Sequence, residues 1–411
     1  MSKGKKKHNL LFIDSGFGYG GSAVFLYNFL CKLDKETFNP TVLFYFAPQG
    51  KDVENIKNLG IEVLNLGMRP EKKEDYSFAA AICQDQKNIT KLKIFKSYLS
   101  ALQELIQQDL PAAFNLAKFI KKKNIQLVVL NNDLHYHVPG VLAAKLAKAR
   151  CVCRKAGIGG GRKIKKILGR FVDAFAATSQ ATAQDQTQLK VPTKRLLIFY
   201  EGVDIEKYTP TKTGTEIKKE FNLSKDRPII GCVARIGVGK GQGELIQAAS
   251  LVVKEFPQAI FLIVGDDIEF GGILTKRLKR EATQLGVTEN LIFTGWRTDI
   301  PNILGGLDVF VHCPTSWPEG LGIATLEAMA MGKPTIVSDN FGLTETTQDK
   351  VTGFVVPKGD ALALSRAILT LLKDKQLASD MGKRARDRAE RLFDIRKSVH
   401  QTEKLFLELL H

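Results

Sequence analysis

Short apolar or β-branched runs alternate with longer amphipathic stretches along this chain, and the pattern occurs twice. Residues 10–14, 41–46, 61–65, 126–130, 151–154, 173–177 and 196–199 form the first set of strand-like runs. Residues 229–234, 259–264, 291–293, 308–311 and 335–337 form the second. Unbroken apolar runs fit strands buried on both faces, and strands separated by helices pair in parallel rather than through hairpins. The expected fold class is therefore α/β, with two Rossmann-like, doubly wound parallel-sheet domains. The boundary falls between Glu201 and Arg227, where Thr, Pro and Gly precede a new buried strand. Three helical stretches, 361–373, 376–392 and 395–410, close the chain. The expected division is 1–200, 201–393, and a terminal helical piece at 394–411.

Composition adds boundaries to this reading. A chain of 411 residues can bury two or three separate cores. No apolar run approaches the ~20 residues that span a bilayer. The basic start leads directly into Leu10-Leu-Phe-Ile13, too short for a signal-peptide core, so the expectation is cytoplasmic. The six cysteines form no C-x-x-C pair, and Cys151 and Cys153, on one face of a strand-like run, read as reduced core thiols.

The net charge of +17 is one-sided: residues 1–200 hold 32 Lys and Arg against 15 Asp and Glu, and the remainder balances. A basic half implies an anionic surface or ligand. Residues 87–123 read as one or two helices broken at Pro111. There Ile89, Leu92, Ile94, Phe95, Leu99 and Leu102 are interleaved with Lys87, Lys91, Lys93 and Lys96. That pattern fits, before anything else, an amphipathic helix packed on its own domain with a solvated face, and it fits also one lying at a membrane interface. Residues 162–170 repeat it, so peripheral contact with an anionic membrane surface is an expectation. Interleaved aromatics and nucleic-acid modules are absent from the sequence, so nucleic acid is not an expected partner.

Residues 317–334 read W-P-E-G-L-G-I-A-T-L-E-A-M-A-M-G-K-P. Pro and Gly punctuation runs into strong helix formers and stops at Gly332 and Pro334, which predicts a helix over 322–331. Such an Ala- and Gly-rich helix can present its free N–H groups to an anion, with Glu319 ahead of it and Glu327 inside it gripping hydroxyls. It fits equally a buried helix after a turn. The segment P-E-G-x-G-x-x-x-x-E-A-M-A-x-G-K-P resembles the E-x(7)-E signature of the retaining glycosyltransferase family 4 (group 1). The family's fold, called GT-B, faces two such domains across a cleft and returns the last helix to the first domain.

Other segments bear on the same resemblance. Gly16, Gly18 and Gly21 form G-x-G-x-x-G between a strand and a helix, but the next strand ends F-Y-F-A-P-Q-G without an acid for a ribose. A nicotinamide dinucleotide is therefore not predicted. Gly20 and Gly21 match the family's Gly-Gly, whose missing Cβ atoms let the loop approach the sugar donor. Residues 232–243 read C-V-A-R-I-G-V-G-K-G-Q-G; Lys240 is followed by Gly241, which fails the Walker pattern. This segment resembles the family's G-R-x-x-x-x-K-G, which implies that Arg235 and Lys240 clamp a diphosphate. Two fixed cations beside a helix N-terminus can neutralise that leaving group. No D-x-D occurs, which suits a site without metal; the expected cofactor is none, with the nucleotide-diphosphate sugar as substrate.

Gly265, Trp296 and Arg297 lie in further segments similar to the family's, the last two in the loop whose backbone meets the nucleobase. The resemblance implies that Glu327 holds the ribose, while Glu319 and the backbone of Gly320, Leu321 and Gly322 hold the sugar and phosphate. It also implies retention of anomeric configuration, with the departing phosphate oxygen taking the acceptor proton on the same face. The acceptor half departs from the pattern. Where many relatives carry a His after the fifth strand, this chain reads R-K-A-G at 154–157. His135 and His137 are the nearest alternatives, with His135 the candidate acceptor-side catalytic group; Arg154 or Lys155 would suit an anionic, lipid-linked acceptor. The expected function is transfer of a sugar from a nucleotide sugar to a glycan or lipid-linked acceptor. A nucleotide-sugar epimerase on the same fold and a non-catalytic basic binding protein are the rival readings.

Overall fold

The computed structural model describes residues 7–16, 21–46, 52–68, 102–159, 162–211, 214–224, 226–316 and 318–411. In the first half, β1 (His8–Asp14), β2 (Phe38–Phe44), β3 (Glu62–Asn65), β4 (Leu127–Asn131), β5 (Arg150–Lys155), β6 (Ala174–Ala177) and β7 (Leu196–Ile198) form one sheet. Its order is β3-β2-β1-β4-β5-β6-β7. In the second half, β8 (Ile229–Val233), β9 (Ile260–Val264), β10 (Leu291–Gly295), β11 (Val309–His312), β12 (Thr335–Ser338) and β13 (Gly353–Val356) follow the order β10-β9-β8-β11-β12-β13. The strand pairs are parallel in both sheets. Each sheet reverses direction beside its first strand, and ligands in such sheets bind outside the carboxyl ends at that reversal.

The helices of the first half are α1 (Gly21–Lys32), α2 (Asp52–Asn58), α3 (Leu110–Lys122), α4 (Val138–Ala147), α5 (Arg162–Leu168) and α6 (Gln180–Gln188). Those that follow are α7 (Thr215–Glu220), α8 (Gln242–Val252), α9 (Ile273–Gln284), α10 (Ile300–Gly305), α11 (Ile323–Ala330), α12 (Leu343–Thr346), α13 (Ala361–Lys373), α14 (Lys375–Leu392) and α15 (Ile395–Leu410).

The strands lack an apolar–polar alternation because both faces of each sheet are covered. Leu10, Phe12, Leu127 and Val129 enter one core of the first sheet, while Leu11, Ile13, Val128 and Leu130 enter the opposite one. Successive side chains point to opposite faces, so two buried faces need an uninterrupted apolar run. Helix α15 completes the first of these cores. Its Phe406 ring packs 6.3 Å from Phe12, 6.5 Å from Phe29 and 6.1 Å from Phe38. The last helix thus returns to the first domain.

Two strands of chain cross between the halves and run against each other. Val203 N donates to Phe393 O at 2.7 Å and Ile395 N to Val203 O at 3.1 Å. A Cβ on Gly202 would collide with the Ile395 backbone, so this crossing requires glycine. Lys32 reaches Asp204 across the same seam at 3.2 Å.

Three local outcomes differ from the sequence expectation. β2 begins at Phe38 and runs through Pro40, because pairing with β1 starts at His8 opposite Phe38. β13 is not among the strand-like runs of the sequence, yet its four residues pair with β12. The break expected at Pro111 is a π-helical turn, Leu105–Asp109, leading into α3. Proline offers no N–H to the carbonyl four residues earlier, and the wider turn relieves that mismatch. The basic–apolar stretch at 87–101 lies outside the described residues.

Candidate active site

The reversal points of the two sheets face each other. Gly21, which opens α1, sits so close to α11 that a Cβ there would lie 3.2 Å from Ile323 Cδ1. Gly320 lies against the Ala156 carbonyl, and a Cβ on it would collide with that oxygen. The signature stretch is therefore pressed against the loop after β5 as well as the start of α1. Gly16 and Gly21 are described; Gly18 and Gly20 fall outside the described residues, as does Trp317.

The loop after β8 is folded by its glycines. Gly239 and Gly241 have φ of +73° and +87°, and Cβ atoms on them would collide with Ser316 and the Cys313 carbonyl. Two contacts without side chains hold the intervening Lys240 against the strand-end loop that leads to Glu319. Lys240 Nζ meets Glu319 Oε1 at 2.5 Å. His312 Nε2 stands 3.7 Å from the same oxygen, and its Nδ1 is 3.0 Å from Thr325 Oγ1. Burial opposes ionisation of Glu319, but the Lys240 charge and the His312 contact outweigh it and hold the carboxyl at about 2. The Arg235 side chain is half-buried on the same loop.

Glu319 is also fixed through its backbone: its N–H donates to Asn340 Oδ1 at 3.2 Å, and its carbonyl accepts from Gly342 N at 3.1 Å. Gly322 caps α11 with φ of +88°, and a Cβ there would come 2.5 Å from Leu343 Cδ2. Leu321 is buried in a core of the second sheet, with Phe310 and Leu326. Glu327 is buried, and its Oε1 accepts a 2.6 Å hydrogen bond from Tyr208 Oη. Burial pushes its carboxyl up to about 7.

Gly265 has φ of +137° and lies against the Ala234 carbonyl, closing the end of β9 onto the loop that carries Arg235. Trp296 is 47% exposed beyond β10. The Arg297 guanidinium is held by Glu220 at 2.5 and 2.9 Å and by Asp299 at 2.8 and 2.9 Å. It is thus a structural brace on its loop.

The first domain presents a different picture from the basic acceptor face expected. Lys155 is fully buried, 2.6 Å from Asp133 and 2.7 Å from Asp185. Lys165, expected on a basic outer face, is also buried and lies 2.9 Å from Asp133. The two ammonium groups also take the carbonyls of Gly157 and Gly159. Lys155 is thereby neutralised and is not offered to an anionic acceptor. Arg154 is buried too, paired with Glu201, bonded to Asn131 Oδ1 at 3.1 Å and stacked 3.8 Å over Phe25. These charges build the loop 156–159 rather than facing solvent. His135 stands at the edge of this cluster, its Nδ1 3.2 Å from Asp133 Oδ1. His137 is fully buried, and burial lowers its imidazole to about 4.

Four contributors were not singled out in sequence: Tyr208, His312, Asn340 and Gly342. His312 and Tyr208 lie in segments that read only as a strand end and a domain boundary. Their roles arise from contacts 7 and 119 positions away in the chain, with Glu319 and Glu327 respectively.

Residues 214–388 match the family profile of glycosyl transferases group 1. The chain is 28% identical over 319 residues to UDP-Gal:alpha-D-GlcNAc-diphosphoundecaprenol alpha-1,3-galactosyltransferase of Escherichia coli, covering 74% of this chain and 80% of that protein. It is 27% identical over 317 residues to N-acetyl-alpha-D-glucosaminyl L-malate synthase of Bacillus anthracis, with the same 74% and 80% coverage. In fold it is similar to Anabaena Alr3699/HepE in complex with UDP and glucose, with a TM-score of 0.80 at 22% identity, over 98% of this chain and 100% of that one. It is also similar to WaaG, a glycosyltransferase involved in lipopolysaccharide biosynthesis, with a TM-score of 0.65 at 14% identity, over 96% and 99% of the two chains. With two parallel sheets in the GT-B arrangement and the signature at their junction, the chain is similar to the group 1 glycosyltransferases, whose family profile its residues 214–388 match.

Proposed function

We propose that this glycosyltransferase moves a hexose from a nucleotide-diphosphate sugar to a glycan or lipid-linked acceptor, with retention and without a metal ion. The observation that carries the reading is the Lys240–Glu319 pair at the mouth of α11, opposite Gly21 of the first domain. Arg235 and Lys240 take the diphosphate, Glu319 and the 320–322 backbone take the sugar, and Glu327 takes the ribose. Gly265 and the backbone at Trp296 and Arg297 border the base. The leaving phosphate gains charge as the glycosidic bond breaks, and fixed cations stabilise that charge without reorganisation. The second domain carries the sugar donor and the first carries the acceptor, with Gly21 approaching the donor from the acceptor side.

Support for the acceptor class comes from relatives whose names specify lipid-linked acceptors, the diphosphoundecaprenol-linked sugar and phosphatidylinositol monomannoside. No helix among the described residues is long and apolar enough to cross a membrane. Leu102, Ile106 and Phe114 are each more than half exposed on the first domain, and Lys118 follows Phe114 by one helical turn. Apolar side chains beside lysines suit a peripheral contact with anionic lipid.

The test is a panel of UDP-, GDP- and ADP-sugars, read by thermal shift and then by product formation. One nucleotide class should raise the unfolding temperature, since a ligand that binds only the folded state stabilises it. Absence of a shift with every sugar donor, together with an Arg235→Ala variant indistinguishable from wild type, would overturn the reading.

A further inference from the structure

A contact between the two domains lies outside the residues assigned above. The carboxylate of Glu345, in α12 of the second domain, accepts hydrogen bonds from Gln180 N and Ala181 N, each at 2.8 Å. Those are the first two residues of α6 in the first domain. The first N–H groups of any helix lack partners within it. Here Ser179 Oγ takes the third, from Thr182 N at 3.1 Å, and Glu345 takes the first two. A carboxylate at a helix N-terminus also meets the positive end of the helix dipole.

The other end of this connection is rigid. Arg388 donates to the carbonyls of Glu345 and Thr346 at 2.8 and 2.9 Å, fixing α12 to α14. Five residues before Glu345, Asn340 is buried and donates to the Pro314 carbonyl at 3.1 Å, while its Oδ1 holds the Glu319 N–H. Gly342 holds the Glu319 carbonyl and packs on Gly320 so closely that a Cβ would collide. Residues 340–345 thus grip the backbone of Glu319 with one end and the first domain with the other.

The seam beside this contact is open, with polar and apolar lining in equal measure. A cavity of about 360 Å³ separates the rest of α6 from the second domain, lined by Gln184, Gln188, Asp339, Phe341 and Thr344 among others. The domains are already parted there and Phe341 is already 47% exposed, so the two charge-assisted bonds can break and re-form as the cleft opens.

We propose that Glu345 is a positioning residue that couples closure of the two domains to the placement of Glu319. This rests on the reading of the cleft as a transfer site. With the carboxylate seated on α6, Gly320 is pressed onto Ala156 and the Glu319 backbone is held from both sides. With it released, the first domain swings away and the acceptor side loses its register with the sugar donor.

Two variants of the full chain test this. Glu345→Ala removes the acceptor of both bonds. Gln180→Pro removes one donor while leaving α6 intact, because proline is favoured at the first helical position and Ser179 is already extended. Both are examined by small-angle X-ray scattering, alone and with UDP, and by turnover of whichever nucleotide sugar the wild type uses. Both variants should scatter as more open particles, with kcat lowered about tenfold and the KM for the sugar donor nearly unchanged, at an unaltered unfolding temperature. Scattering curves that superimpose on wild type for both variants overturn the proposal, as does opening without loss of kcat. A wild type that turns over no nucleotide sugar sinks the transferase chemistry instead, and the scattering still decides whether Glu345 holds the domains together.

Discussion

Lys240 and Glu319, 79 positions apart in the chain, meet at 2.5 Å, and each side chain is less than one-sixth exposed. On the proposed reading, a diphosphate entering the cleft takes Lys240 from this carboxylate, and the ion pair holds that side chain in place beforehand. Lys240→Ala and Arg235→Ala should each lower kcat about 10²–10³-fold, the range found when a preorganised charge-stabilising group is removed. Initial rates with the active sugar donor check this, and a wild-type rate in Lys240→Ala would remove that residue from the mechanism. Glu319 has a folded value near 2, below its ordinary 4.5, so the stabilisation it gains is present above pH 4.5 and is lost as pH falls toward 2. Acid unfolding of Lys240→Met should accordingly show a weaker pH dependence across that window.

Glu327 presents the opposite sign. Its carboxyl is raised from 4.5 to about 7, so the folded state binds the proton more tightly than the unfolded chain. Its burial therefore costs stability that appears as pH rises through 4.5 to 7, on the order of 3 kcal/mol at pH 8. Glu327→Gln should unfold at a higher temperature than wild type at pH 8 and show a smaller difference at pH 5, while losing affinity for the nucleotide. Calorimetry at the two pH values measures this, and an equal difference at both would show that the carboxyl is not titrating as described.

Two glycines of the signature separate folding from closure. Gly322 has φ of +88° and faces Leu343, so Gly322→Ala should destabilise the second domain by about 1–3 kcal/mol. Gly320 has its tight contacts with the Ala156 carbonyl of the first domain and with Thr182. Gly320→Ala should leave the urea midpoint nearly unchanged and reduce kcat more than tenfold, since a 1 Å displacement of the reacting groups is enough for that. Paired urea titrations and rate measurements tell the two apart.

The buried cluster at Asp133 is a folding element. Lys165→Met leaves Asp133 with one fewer cation and frees the Gly159 carbonyl. The expected loss is about 3–5 kcal/mol, typical of removing one partner from a buried ion pair. Denaturant unfolding gives the value; a change under 1 kcal/mol would mean the cluster is already open to water.

Peripheral membrane contact has its own signature. The wild type should sediment with vesicles containing anionic lipid, less so at high salt, and Ile106→Asp with Phe114→Asp should weaken it severalfold. Equal binding to neutral and anionic vesicles would remove the electrostatic part of the proposal.

The fold was legible because its cause is local. Doubly buried strands demand unbroken apolar runs such as 10–13 and 260–264, and the helix between each pair demands its own periodicity, so the α/β alternation and nearly every strand are visible in one dimension. A four-residue piece was not: β13, Gly353–Val356, is too short to stand out from a turn and is fixed as a strand by pairing with β12. The second-domain residues proposed for the site stood out for a related reason: their glycines and charged residues sit at strand ends where backbone geometry restricts the choice of residue.

The charges of the first domain were not. Lys155 and Lys165 look in sequence like basic surface, since nothing in a linear reading brings Asp133 and Asp185 beside them. Whether a lysine faces water or closes an ion pair depends on which carboxylates the sheet order delivers to it. The signature stretch by itself specified a helix, its cap and two carboxylates of different standing. Only the tertiary structure decided that one of those carboxylates is ionised against Lys240 while the other is buried under Tyr208, because burial and neighbouring charge are properties of contacts between distant parts of the chain.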